Sequence, residues 1–303
     1  MLIGGFMETG VAIGGVTFNH DCQIMFERLQ KAKRRYGLDI KGMDMGQGKD
    51  VQMCIIEMVR KLFVLLGWPM GDFQKFRSAY LSVIFWCVHY KYDVIFPMSG
   101  MPSGFVGTTV QNCLIIILCM VLCAIRVSAH YNRPIEEVWA EMVNLIYGDD
   151  QAPGFLDMKI VIPFEVYVAS FESMGFQVTT SNKLSIDKAR SEELVNGIEF
   201  LKRKFNIIDY NGKTYVVMKL SFDSIYRMLT FYERSSALTR SEWASVVFDN
   251  AQFELAFHGE EVYAKSELVF THFKAITACP KKVQPWGFWI EKFLSGVAPY
   301  TYS

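Results

Sequence analysis

Two adjacent carboxylates, Asp149 and Asp150, follow Gly148 directly after the apolar, β-favouring run 141–147. Glycine tolerates positive φ and aspartate can bond its own backbone, so Gly148-Asp149 reads as a tight turn between two extended segments. Both acids are then held at its tip. Like charges side by side repel, and hard oxygen donors on a rigid turn suit Mg²⁺ or Mn²⁺. Taken alone, a Gly-Asp-Asp tripeptide is more often a solvated surface turn. Its chemistry therefore rests on partners elsewhere in the chain.

Several partners are present. The segment 36–44 begins as a short β-like stretch and carries Asp39 and, five positions later, Asp44. Asp39 is a candidate companion of Asp149. Between Ser99 and Asn112 lie three glycines and a proline, a composition that lets backbone approach a ligand closely but is also common in loops that bind nothing. Thr108 or Thr109 can open the helix that follows, and Asn112, one turn beyond Thr108, faces the same way. Lys183 comes just after a strand-like segment, 176–180. Residues 196–205 read as a hairpin arm with a basic face.

The elements that must position these groups show their own periodicities. Apolar residues at Val51, Ile55, Met58, Val59, Leu62 and Leu66 mark one buried helical face that Gly67 stops. Residues 26–35 read as helical and basic, and 68–98 as strands or a helix-to-strand passage. The apolar run 113–125, closed by Arg126, falls short of the ~20 residues that span a bilayer and is expected as a buried helix. An amphipathic helix is expected over 163–174. From Ser221 the chain turns helical, with segments at 221–234, 240–257 and 260–277, and a domain boundary is placed near 206–220.

A chain of 303 residues with 51% hydrophobic and 15% aromatic content is globular and long enough for two lobes. Its formal net charge of +0 provides no global basic field for nucleic acid. The seven cysteines are scattered and odd in number, as expected of reduced core residues in an intracellular protein. No basic n-region precedes the glycine-rich start, which does not read as a signal peptide.

In order and spacing these pieces resemble the RNA-dependent RNA polymerases of picorna-like positive-strand RNA viruses, from about residue 36 onward. Asp39 and Asp44 resemble the first palm motif. Gly100 to Gly104, Gly107, Thr108 and Asn112 match the second, Gly-Met-Pro-Ser-Gly with a later Gly-Thr and Asn, and this is the most specific signal. Tyr147 to Asp150 match the third, Lys183 aligns with the lysine of the fourth, and Phe200, Leu201, Lys202 and Arg203 match the fifth. Segments 221–229 and 257–260 resemble the thumb of that group.

The resemblance implies an α+β fold: a palm built on a small antiparallel sheet flanked by helices, with an α-helical thumb and fingers largely missing. It places a remnant of the fingers or palm entry at 1–35, the palm at 36–205 with a fingers-side insertion at 68–98, and the thumb at 206–303. Asp39, Asp149 and Asp150 would be the catalytic metal ligands, for two Mg²⁺ ions that Mn²⁺ can replace, and Lys183 a general acid toward pyrophosphate. Asp44, Ser103, Gly104, Thr108 and Asn112 would bind the nucleotide and sense its 2′-hydroxyl, while Phe200 to Arg203 would contact the RNA primer. Implied partners are template and primer RNA, nucleoside triphosphates, other viral replication proteins, and a fingers region upstream or on a separate chain, without which the enzyme can be inactive. The implied location is the host cytoplasm, in replication complexes. A non-catalytic RNA-binding or scaffold remnant and a reverse transcriptase are the competing readings.

Overall fold

Leu38 and Ile40 are buried on either side of Asp39, itself buried, so the short segment that carries the first acid sits inside a sheet rather than at its rim. The computed structural model describes residues 11–12, 21–97, 99–101, 107–230 and 239–296. These form two compact units, one of residues 1–13 and 32–191, the other of 14–31 and 192–303.

The first unit contains strands β1 (Arg34–Arg35), β2 (Leu38–Lys41), β3 (Val88–Tyr90), β4 (Asp93–Ile95), β5 (Met142–Tyr147), β6 (Asp150–Phe155) and β7 (Gln177–Thr180). β6 is the centre of a five-stranded sheet whose described pairings are all antiparallel. β5 pairs along one side of it, β1 and β2 lie in tandem along the other, and β7 pairs with β2. β3 and β4 make a separate two-stranded ribbon. Residues 68–98 are thus a helix-to-strand passage, with a helix at Met70–Ile84 ahead of the ribbon.

Helix Thr108–Tyr131 packs against helix Phe164–Glu172 and β5, burying Ile115, Ile116, Cys119, Met120 and Cys123. It runs past Arg126, the residue expected to close it. That guanidinium donates to the Ser170 and Ser173 hydroxyls at 3.4 and 3.0 Å, and the helix stops instead at Asn132 in the left-handed region, φ 50°. By length and composition alone it could cross a bilayer, but half of its most apolar window is buried inside the unit. Aromatic packing closes the core: Tyr36 stacks on Phe164 with ring centroids 4.0 Å apart, and the Tyr167 hydroxyl donates to Gln151 Oε1 at 2.8 Å.

β6 holds a proline at its centre, which a paired strand normally rejects because it cannot donate to the ladder. Pro153 still accepts, from Tyr36 N at 3.0 Å, and the side chain of its register partner Asn144 takes the next amide, Gly154 N, at 3.2 Å. Gly154 is required by space. A Cβ there would lie 2.7 Å from the Val143 carbonyl oxygen and 2.8 Å from Ala32 Cβ.

In the second unit, helix Asp21–Gln30 packs on a sheet of β8 (Glu199–Phe200), β9 (Arg203–Tyr210) and β10 (Lys213–Leu220). The basic stretch expected to be helical to residue 35 ends its helix at Gln30, since Arg34 and Arg35 pair with β6 in the first unit. β9 and β10 pair over their whole lengths, so the boundary placed at 206–220 falls within an intact hairpin, and the units divide at 191/192. Helices at Phe222–Thr230, Arg240–Ala256, Glu260–Lys265, Glu267–Thr277 and Trp286–Leu294 follow, the expected 260–277 helix being interrupted at Ser266. Thr239 and Glu242 form a reciprocal capping box at the start of Arg240–Ala256.

His258 Nε2–H donates to the Leu220 carbonyl at 2.8 Å and its ring lies 4.2 Å from that of Phe222. Burial pushes this imidazole below its ordinary range, against the opposing pull of the Leu220 carbonyl. The unfolded chain therefore takes up a proton at His258 more readily than the folded one, and stability falls as pH drops below about 6.5. We expect His258→Gln to flatten the dependence of melting temperature on pH between 7.5 and 5. Gly154→Ala is expected to cost about 1–3 kcal/mol through overpacking, read from the urea midpoint.

Candidate active site

The register of the sheet assembles the acids. Tyr147 pairs with Asp150 across the β5–β6 turn, leaving Gly148 and Asp149 as its two central residues. Gly148 has φ 62°, the conformation that a glycine-first two-residue hairpin demands. On the other face of the ladder Asp150 pairs with Asp39 of β2, and paired residues point to the same side of a sheet. Asp39 and Asp149, distant in sequence, line one open cleft of ≈ 910 Å³ with Asp44, Glu172, Lys41 and Lys183.

Lys183 reaches this cleft from a turn after β7. Its own amide donates to Thr180 O at 2.8 Å and its backbone is left-handed, φ 60°. Its Nζ lies 2.5 Å from Asp39 Oδ2, close enough for an ion pair but without hydrogen-bond geometry. That oxygen is buried and makes no hydrogen bond.

Asp44 sits on the one-turn helix Met43–Gly46 and takes a 3.3 Å bond from Asn112 Nδ2. Asn112 Oδ1 in turn accepts from Gln47 Nε2 at 2.6 Å, and Gln47 Oε1 accepts from Gln111 Nε2 at 2.5 Å. The glycine loop is pinned to the same helix: Met101 N donates to Asp44 O at 2.7 Å and Gly100 N to Gln47 O at 2.9 Å. A Cβ on Gly100, φ 94°, would approach Asp44 O to 3.1 Å. Thr108 is the first residue of the long helix, one turn before Asn112. Ser103 and Gly104 lie outside the described residues.

Sequence reading missed Gln47, Gln111 and Cys113. The glutamines carry no motif and are detectable only as polar residues buried beside the glycine loop. Cys113, read as a reduced core residue, accepts from Gly148 N at 3.2 Å and so fastens the acidic turn to the long helix. Burial, with the charge of Asp149 adding to it, pushes this thiol up to about 11, which keeps it protonated.

In the second unit, Phe200 is buried and Leu201 and Lys202, φ 55° and 57°, form the turn joining β8 to β9. Arg203, expected on an RNA phosphate, instead makes a two-pronged pair with Glu254, both bonds 2.6 Å, and a third bond to Met218 O. Its planar fork suits a carboxylate held at this spacing. Lys202, Lys204, Lys219 and His258 line a small pocket beside the hairpin, where desolvation and Lys204 push Lys219 below the ordinary lysine range.

The donor set in the first-unit cleft is carboxylate oxygen, and its buried acid, Asp39, already has a cationic group, the Lys183 ammonium, against one oxygen, a setting that fits a hard divalent cation. Among the described residues no three His, Cys, Asp or Glu side chains converge to enclose one. Such an ion would complete its shell with water and phosphate oxygens, as Mg²⁺ commonly does.

The genome polyprotein of human hepatitis A virus genotype IIIB is 24% identical to this chain in an alignment of 301 positions that covers 94% of the chain and 12% of the polyprotein. A sicinivirus 3Dpol RNA-dependent RNA polymerase shares the fold, with a TM-score of 0.73 at 17% identity over 95% of this chain and 56% of that one. The chain thus spans little more than half of the solved polymerase and about an eighth of the polyprotein. The family described as viral RNA-dependent RNA polymerase matches residues 8–272, and this chain belongs to that family.

Proposed function

We propose that the first-unit cleft carries out template-directed RNA synthesis, transferring nucleotides from triphosphates to an RNA 3′-hydroxyl in the replication of a viral genome. The observation that carries this reading is the convergence of Asp39, Asp149 and Lys183 on one cleft. Asp39 and Asp149 would hold divalent metal, Mg²⁺ or Mn²⁺, with Asp150 as a supporting carboxylate. When bound, a pair of such ions supplies charge neutralisation to the attacking and leaving oxygens.

The chain's own residues do the rest. Lys183, whose ammonium stands beside Asp39, would give a proton to the departing pyrophosphate. Asp44 and Asn112 present an acceptor and an amide held rigid by Gln47 and Gln111, a set suited to a 2′-hydroxyl that both donates and accepts. Ser103, Gly104 and Thr108 complete this nucleotide site in the reading. On the hairpin of the second unit, Lys202 would meet the primer backbone, with Phe200 and Leu201 shaping the turn and Arg203 bracing it through Glu254.

In this reading the first unit, to residue 191, acts as the palm, with 68–98 on the fingers side, and the helices from Phe222 onward act as the thumb. Residues 1–35 would be the entry from fingers to palm. The partners are template and primer RNA, nucleoside triphosphates, other viral replication proteins and a fingers region, all in replication complexes of the host cytoplasm.

Asp149→Ala is expected to lower metal-dependent ribonucleotide incorporation by roughly 10²–10³-fold or more, measured by primer extension on the chain extended to the length of its relatives. Retained RNA affinity with no incorporation even in the unaltered protein would instead identify a non-catalytic remnant. Asn112→Ala is expected to reduce the preference for ribo- over deoxyribonucleotides by roughly tenfold, read from the ratio of kcat/KM values.

A further inference from the structure

Asp39 Oδ2 and Lys183 Nζ are an uneven pair. The carboxylate side chain is only 8% exposed, whereas the lysine side chain is 68% exposed and bends in from solvent to a distance of 2.5 Å. The oxygen it touches accepts no hydrogen bond. The lysine is held at this spot by its turn, in which Leu184 N donates to Thr180 Oγ1 at 3.0 Å, Thr180 N to Leu184 O and Lys183 N to Thr180 O. A left-handed backbone at a lysine is uncommon, and here it aims the side chain back at β2.

A divalent cation that takes Asp39 Oδ2 has to displace the ammonium that now covers it. We propose that Lys183 is a cation placeholder: its ammonium neutralises Asp39 Oδ2 until a divalent ion displaces it, and the displacement frees the lysine. This rests on the reading of Asp39 as a metal ligand. The exchange moves no proton and breaks no covalent bond. Lys183 leaves as an intact ammonium, with its head group already near solvent, so it gives way easily. Asp44 and Glu172 line the same cleft and leave the freed ammonium acidic neighbours. Lys183 is then available to a departing phosphate only once Asp39 has exchanged its partner. By linkage, whatever the lysine subtracts from cation affinity the cation subtracts from the lysine's hold.

The test is binding of Mn²⁺ alone, without RNA or nucleotide, followed by the electron paramagnetic resonance signal of the free ion. Lys183→Met and Lys183→Gln are expected to bind about fivefold more tightly than the unaltered protein, the factor that one weak ion pair is worth. Lys183→Arg, which keeps the charge, should stay close to the unaltered affinity, and Asp39→Asn should lose the site. Equal affinities for the Met, Gln and unaltered proteins, with Asp39→Asn still losing the site, would overturn the placeholder alone. Undiminished binding in Asp39→Asn would overturn it together with the metal reading beneath it.

Discussion

The pairing of Asp39 with Asp150 in the β2–β6 ladder sets the geometry of the cleft, because strand side chains alternate between faces. A slip of one residue would turn Asp39 away from the acidic turn and bring Leu38 or Ile40, both buried in the core, to its place. Burial of those two side chains therefore fixes the position of a charged one. The sheet that results is small, but its central strand is held on both sides, by β5 and by β1 with β2.

That central strand is chemically awkward, and its neighbours compensate. Pro153 removes a donor, and Asn144 returns a bond to the following amide. Gly154 keeps clear the space that Val143 and Ala32 crowd. The acidic turn at the strand's start is tied to the long helix by Cys113, and the same helix presents Gln111 and Asn112 to the network reaching Asp44. One buried helix thus supports both acidic segments of the cleft. Half of its most apolar stretch is buried in this unit.

Much of this was legible in the sequence. The Gly148-Asp149 turn is legible because glycine and aspartate directly follow a β-favouring run, and the helix stopped near Gly67 follows from its apolar periodicity, although Leu62 and Leu66 of the expected buried face are exposed. Asp39 was legible only by its spacing to Asp44, since nothing in a four-residue strand marks its partner. Other features depend on contacts between distant segments. Whether Arg126 ends a helix is decided by Ser170 and Ser173. Whether Arg203 is free for RNA is decided by Glu254, 51 residues away. The glutamines beside Asp44 were invisible because polar residues reveal burial only through the partners that satisfy them.

On the proposed reading Asp39 and Asp149 serve one cation site within a single cleft. Anomalous diffraction from crystals grown with Mn²⁺ tests it most directly. A shared site gives a peak within coordination distance of carboxylate oxygens from both residues, with Lys183 moved off Asp39. Bound Mn²⁺ elsewhere, with the Lys183–Asp39 pair intact and Asp149 facing solvent, would contradict it.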